Sequence, residues 1–161
     1  MLLIRGDHLR KQFVAKVDEL NKVLFSCIKK KMVQTNALIE AEVEGVLKVI
    51  NKEPLRDIEE VSQVQAFIEG LPKKQLSKIR SLIQDAMSKM GLLEQYQCKL
   101  TEEEFSRTWR SFSKPIEIFK AEAECRKRLK KDEKEFFADL RVMIERLQRE
   151  FEQLKRDFEI L

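Results

Sequence analysis

The sequence predicts an all-α protein made of long helices. Charged residues are 37% of the 161 residues, well above the roughly 25% of ordinary globular domains. The chain has only 4 glycines and 3 prolines, too few for the many turns that a sheet protein needs. Apolar residues recur every three or four positions, the spacing of helices with one apolar face. The apolar fraction of 43% is enough for a core, so we expect a folded chain.

The first predicted helix spans about residues 8–50. Asp7 is a candidate N-cap, because its carboxylate can accept from the free amides of a first turn. Pro54 ends the helix, since the residue before a proline is disfavoured in helical geometry. Its apolar face comprises Leu9, Phe13, Val17, Leu20, Leu24, Cys27 or Ile28, Met32, Ile39, Val43, Val46 and Ile50.

The second predicted helix spans about residues 56–97 and is kinked near Pro72. A proline inside a helical pattern either kinks the helix or opens the next one, because it lacks the backbone N–H. Beyond Pro72 the apolar positions keep heptad spacing, which turns this run toward the same neighbour over several turns. These positions are Leu76, Ile79, Ile83, Ala86, Met90 and Leu93.

A short third helix is predicted over residues 102–113. Thr101 and Glu104 are three residues apart, which is the pattern of a capping box. Helical spacing places Phe105, Trp109 and Phe112 on one face. These aromatic residues could form a ligand pocket or a partner anchor, but core packing at the end of a bundle is the favoured interpretation.

The last predicted helix spans residues 115–161 and contains no glycine or further proline. Its heptads continue to Leu161 without a stop signal, so we expect a fragment of a longer chain. The three long helices have similar lengths, which predicts an elongated up-down-up bundle, with residues 1–161 as a single segment. The packing anchors of the last helix are Phe137, Leu140, Ile144, Leu147, Phe151, Leu154 and Phe158.

The sequence argues against an enzyme. It has no G-x-x-x-x-G-K-[ST] phosphate loop, and its four glycines are scattered. His8 is the only histidine, so a histidine triad or a multi-histidine metal site is excluded by number. The acidic clusters 102–104 and 132–135 lie among polar neighbours and are interpreted as helix caps and solvated faces. We expect no catalytic residue, no cofactor and no metal.

Charge and cysteine content favour a soluble chain in a reducing compartment. The net charge of +4 comes from 32 basic and 28 acidic residues, so no strong field attracts nucleic acid. Cys27, Cys98 and Cys125 are odd in number and far apart, which favours free thiols and a cytoplasmic location. No apolar run is long enough to cross a bilayer, so neither nucleic acid nor a membrane is an expected partner.

A dense basic run forms the candidate partner-binding surface: Arg126, Lys127, Arg128, Lys130 and Lys131. It could bind nucleic acid, an acidic protein surface such as that of tubulin, or a nuclear import receptor. Acidic residues follow it directly at helical spacing, so a solvated helix face is the favoured interpretation.

The order of motifs from Ile58 to Leu161 resembles the tail of axonemal dynein heavy chains, just before the linker to the motor. The motifs are Leu92-Leu93-Glu94-Gln95-Tyr96, Leu100-Thr101-Glu102-Glu103-Glu104-Phe105, Trp109, Pro115-Ile116 and a long charged helix with repeated Phe and Leu that starts near Asp132. The chain has Phe112-Ser113-Lys114-Pro115 where many relatives have Gly-Trp-Pro.

This resemblance implies a segment of a microtubule motor of cilia or flagella. The ATPase ring and the microtubule-binding stalk would lie outside this chain, which would be a helical strut between the tail and the linker. The implied partners are other parts of the heavy chain, intermediate or light chains, and neighbouring heavy chains in the axoneme. The alternative is a free-standing coiled-coil adaptor that binds a protein partner through residues 137–161.

Overall fold

The computed structural model describes residues 6–159 and confirms the all-α class. About 88% of these residues are helical, and none of them forms a strand. Three helices are long, as predicted. The last two residues of the predicted final helix, 160 and 161, lie outside the described residues. The helices are α1 (Gly6–Ile50), α2 (Ile58–Gly70), α3 (Gln75–Gln95), α4 (Glu102–Ser113) and α5 (Pro115–Glu159).

Local signals explain most of the helix ends. The α1 helix ends at Ile50, ahead of Pro54, and the carboxylate of Asp57 accepts a 2.9 Å hydrogen bond from Glu60 N at the start of α2. The predicted cap at Asp7 is wrong, because Asp7 lies inside the first described turn of α1. In that position its negative charge interacts with the helix dipole rather than with free amides as an N-cap would.

Pro72 breaks the second predicted helix instead of kinking it. Residues 71–74 form a turn, in which the amides of Lys73 and Lys74 both donate to Gly70 O at 3.2 Å. Pro72 has no N–H to continue the helical pattern, which explains the stop. It does not open the next helix either, since α3 begins at Gln75.

The end of α3 contains a feature that the sequence analysis did not predict. Gln97 has φ 53°, in the left-handed region that usually takes glycine. Gln97 N donates to Glu94 O at 2.9 Å, and Cys98 N donates to Leu93 O at 2.8 Å. This pair of bonds is a Schellman motif, which satisfies the last carbonyls of the helix.

Packing groups the residues of the chain into two compact units. The first unit combines Met1–Glu44 with Leu76–Pro115, of which residues 1–5 are not described. The second unit combines Gly45–Gln75 with Ile116–Leu161, described as far as residue 159.

Each unit has its own apolar core. In the first unit Met32, Met90 and Leu93 are buried together, and partly buried side chains that include Phe25 and Phe112 pack against them. The buried apolar residues of the second unit are Val46, Ile50, Val61, Val64, Ile68, Leu71, Ile118, Cys125 and Leu129.

Buried polar side chains join α4 to α1 within the first unit. Asn36 Nδ2 donates to Thr108 Oγ1 at 3.0 Å, and both residues are almost fully buried. One turn further along α4, the buried Ser111 hydroxyl donates to Glu40 at 3.0 Å. Asn36 Oδ1 has no partner among the described residues. Because a buried polar group without a partner is costly, the Asn36–Thr108 bond fixes the position of α4 on α1.

We expect Thr108→Val to lower the free energy of unfolding by about 1–3 kcal/mol, because valine keeps the shape but leaves the Asn36 amide buried without its acceptor. Urea denaturation measures this loss. The double variant with Asn36→Leu should recover part of it, since both polar groups are then absent. Ser106→Ala, an exposed change on the same helix, is the control and should stay within about 0.5 kcal/mol. Equal effects of Thr108→Val and Ser106→Ala would contradict this role.

Candidate interaction surfaces

The aromatic row of α4 lies on the outside of the first unit. The ring centroid of Trp109 is 6.0 Å from that of Phe105 and 5.8 Å from that of Phe112, both in edge-on geometry. Phe105 and Trp109 are 45% and 49% exposed. The expected core packing is therefore absent for these two side chains, and only Phe112 contacts the apolar core.

The orientation of α4 explains why Phe105 and Trp109 are exposed. Its buried residues are Thr108 and Ser111, which bond to α1, so the helix packs through a small polar face. Helical spacing does place the three aromatic residues on one face, but polar pairing selects a different face for the interface. The aromatic row is thus a solvent-facing surface of the first unit.

The predicted capping box is confirmed, and it has a long-range partner. Thr101 Oγ1 accepts from Glu104 N at 3.2 Å, and Thr101 N donates to the Glu104 carboxylate at 2.8 Å. The ammonium of Lys29 on α1 also donates to Glu104, at 3.3 Å. The pKa of Glu104 is lowered, mainly by the hydrogen bond from the Thr101 amide. Burial raises this pKa, and the positive charge of Lys29 lowers it further. Glu104 is therefore ionised at neutral pH and acts as a cap.

An open cleft of about 600 Å³ lies beside the aromatic row. Cys98, Leu100 and Phe105 contribute apolar surface to it, and Glu94 and Glu102 contribute carboxylates. No histidine lines this cleft. Lys99 also lines it, so the cleft offers apolar contact and charges of both signs.

The basic run of α5 is not a single surface. Arg126 bonds to Glu122 on the preceding turn at 2.8 Å, and Lys131 lies 3.6 Å from Glu135 on the following turn. Lys127 and Lys130 are exposed. The structure therefore places the predicted partner-binding residues on different sides of the helix, and two of them are paired locally.

Arg128 has a structural role that sequence reasoning missed. Its guanidinium donates to Ile50 O, the last carbonyl of α1, at 2.7 Å, and it also bonds to the Glu53 carboxylate. A positive charge at a helix C-terminus is favourable, because the free carbonyls there carry partial negative charge. Arg128 thus closes the end of α1 inside the second unit. No local pattern predicts a partner 78 residues away.

Cys125 is buried beside Arg128, with its Sγ 3.6 Å from the guanidinium. Burial raises the pKa of the Cys125 thiol, although Arg128 acts in the opposite direction. The thiol is therefore protonated at neutral pH, and a protonated buried thiol is a poor nucleophile. Cys125 is a packing residue of the second unit.

The predicted packing anchors in the second half of α5 are exposed. Phe151 is 71% and Phe158 is 75% exposed, whereas the buried residues of α5 are Ile118, Cys125 and Leu129 near its start. We call the exposed set the α5 seam: Phe137, Leu140, Ile144, Leu147, Phe151, Leu154 and Phe158. The described residues contain no partner that covers it, so these side chains form a surface rather than a core.

The first half of α1 is similar, since all residues from 6 to 24 are exposed. This stretch includes the apolar residues Leu9, Phe13, Val17, Leu20 and Leu24. Burial along α1 begins at Met32 and continues to Ile50. The two 45-residue helices, α1 and α5, therefore each present an uncovered apolar surface at the end far from their own buried residues.

Within residues 6–159, no group of three or more histidine, cysteine or acidic side chains is arranged to hold a metal ion. His8 is exposed, with its Nε2 3.2 Å from the Gln12 amide nitrogen. None of the described helices is long and apolar enough to span a bilayer.

Comparison with known proteins does not identify a family for this chain. No family model, no curated protein and no solved structure matches the chain.

The pKa of Glu104 predicts how stability depends on pH. Its folded-state pKa is lowered, so its contribution is present above the unfolded value, about 4.3, and is lost as pH falls through the folded value. We expect Glu104→Gln to reduce stability at pH 7 and to weaken the loss of stability below about pH 5. Urea denaturation from pH 7 to pH 3 measures both effects. Glu103→Gln, an exposed change in the same turn, should reproduce the wild-type profile, and an unchanged profile for Glu104→Gln would contradict the assigned role.

The contacts of Arg128 predict that residues of the basic run differ in how much they contribute to the free energy of unfolding. Arg128→Gln removes the charged donor to Ile50 O and should cost about 1.5–3 kcal/mol in the free energy of unfolding. Lys127→Gln changes an exposed neighbour and should stay within about 0.5 kcal/mol. Thermal and urea denaturation of the two variants measure this difference. If Lys127→Gln is as destabilising as Arg128→Gln, the cap assigned to Arg128 is incorrect.

Proposed function

We propose that this chain is a force-transmitting helical segment in the tail of an axonemal dynein heavy chain, a microtubule motor of cilia and flagella. The order of motifs from Tyr96 to Pro115 carries the proposal, because these aromatic, acidic and proline positions follow the family pattern in sequence. The helix boundaries agree with that order. The acidic turn after Tyr96 is the capping box at the start of α4, and the proline–isoleucine step is the start of α5.

A strut must resist bending and compression along its length. The two 45-residue helices support this role, since each is about 70 Å long at 1.5 Å per residue. We propose that the long helices run up, down and up in an elongated bundle, which is the arrangement that adds stiffness along one axis. In this proposal the chain contributes no catalysis, and nucleotide hydrolysis takes place in a motor region of the same polypeptide.

The partners in this proposal are the rest of the heavy chain, intermediate or light chains and neighbouring heavy chains. The exposed aromatic row of α4 and the uncovered halves of α1 and α5 are the surfaces available to them. Apolar patches of this extent on a soluble protein mark contact sites.

The second candidate function is a free-standing coiled-coil adaptor. The exposure of the α5 seam favours it, since the adaptor would bind a protein partner through residues 137–161. The size of the natural polypeptide separates the two candidates, because a strut is part of a very long chain and an adaptor is not.

We expect an antiserum raised against residues 6–159 to detect, in ciliated cells of the source organism, a polypeptide many times larger than the 19.1 kDa of this chain. That polypeptide should fractionate with isolated axonemes, pellet with microtubules without ATP and be released by ATP. Immunoblots of these fractions measure this, with pre-immune serum and non-ciliated cells as controls. A band near 19 kDa that is absent from axonemes would reject the strut and favour the adaptor.

A further inference from the structure

The d positions of the α5 seam have the residue type of a two-stranded coiled coil. Its spacings alternate between three and four, which makes Phe137, Ile144, Phe151 and Phe158 the a positions of a heptad and the leucines the d positions. Leucine at every d position is typical of two-stranded coiled coils. The preceding a and d positions are Lys130 and Glu133. Because both are charged, the seam begins at Phe137.

One edge of the seam is basic, and the C-terminal half of the other edge is acidic. The e positions are Lys134, Arg141, Gln148 and Lys155, so this edge is basic. The g positions are Phe136, Met143, Glu150 and Asp157, so the other edge is apolar and then acidic. The e and g residues are the ones that face a second helix across the edge of a coiled coil, and their charges set its orientation.

This segregation of charge selects one arrangement of two identical helices. In a parallel pair the g edge of one helix faces the e edge of the other, which places Glu150 opposite Lys155 of the second copy. In an antiparallel pair, equivalent edges face each other, so the basic e edge of one copy meets the basic e edge of the other. Like charges across such an edge are destabilising. A second copy in parallel orientation therefore complements the seam, whereas an antiparallel copy does not.

The contacts present in the structure do not oppose this pairing. Glu150 bonds to Arg146 at 3.1 Å, but both side chains are more than half exposed. Exposed ion pairs contribute little, so Glu150 can exchange this partner at small cost. The a and d side chains are already exposed, and the helix that carries them is continuous with the buried part of α5. Pairing thus adds a partner without unfolding anything.

We propose that the α5 seam is a dimerisation surface, and that two copies of this chain join through it as a parallel, in-register two-stranded coiled coil. This goes beyond the proposed function, since it names a second copy of this chain as the partner of the seam. For a strut it means that two tails run side by side in the same direction from Phe137 onward.

Sedimentation equilibrium of the purified chain tests whether the seam mediates the association. We expect a reversible dimer at micromolar concentrations. Leu147→Asp places charges at a d position and should raise the dissociation constant by about a hundredfold or more. Val142→Asp is the matched control, because Val142 is 67% exposed and lies at an f position outside the seam. It should leave the dissociation constant within about threefold of the wild-type value.

Both variants change exposed residues, so circular dichroism should show a wild-type helix content for each dilute chain. A wild-type monomer at about 100 μM would overturn the proposal. So would a trimer or tetramer, or equal weakening of the dimer by Leu147→Asp and Val142→Asp.

Disulfide formation tests the orientation. In a background with Cys27→Ala and Cys98→Ala, Leu154→Cys should form a covalent dimer under mild oxidation, because equivalent d positions are adjacent in a parallel pair. Glu152→Cys, at an outward b position, should not. An antiparallel pair would pack a positions against d positions and would instead link Leu154→Cys to Ile144→Cys in a mixture of the two variants. Preferential formation of that product would overturn the parallel arrangement.

Discussion

The structure depends on one constraint: two helices are longer than the partners that cover them. Each of the helices α1 and α5 has 45 residues. Burial on α1 runs from Met32 to Ile50, and burial on α5 runs from Ile118 to Leu129. An apolar stripe on a helix gains stability only where another element removes it from water. The covered stretches therefore supply the cores of the two units, and the uncovered stretches supply the candidate interaction surfaces.

Polar contacts decide which faces of the helices turn inward. The Asn36–Thr108 bond commits α4 to a polar interface, and as a result Trp109 faces solvent. In the second unit Arg128 donates to the final carbonyl of α1. Its guanidinium is therefore engaged within the chain, although charge alone would assign the whole basic run to binding a partner. In both cases a polar contact between residues far apart in the chain took precedence over the apolar or charged pattern nearby.

The sequence was most informative where structure is set by neighbours along the chain. The box between Thr101 and Glu104, the end of α1 ahead of Pro54 and the start of α5 at Pro115 all follow from local rules, and all three are found. Local rules did not decide between a kink and a break at Pro72.

Contacts between residues far apart in the chain could not be predicted in this way. Asn36 and Thr108 are 72 residues apart, and nothing in either segment indicates the other. The heptads of α5 were visible in the sequence, but a heptad pattern indicates an apolar face without showing whether it is covered. The sequence therefore showed which residues form each candidate surface. Only the structure showed that these residues are exposed to solvent.

Amide hydrogen exchange along α5 is the most direct test of the claim that its outer half is completed by a second copy. Mass spectrometry would follow exchange of the intact chain over a range of protein concentrations. We expect the amides of residues 137–158 to become more protected as concentration rises, whereas those of residues 118–129 keep the same protection. Equal protection of 137–158 at concentrations below and above the dissociation constant would contradict the claim, because a second copy would then not shield this part of the helix.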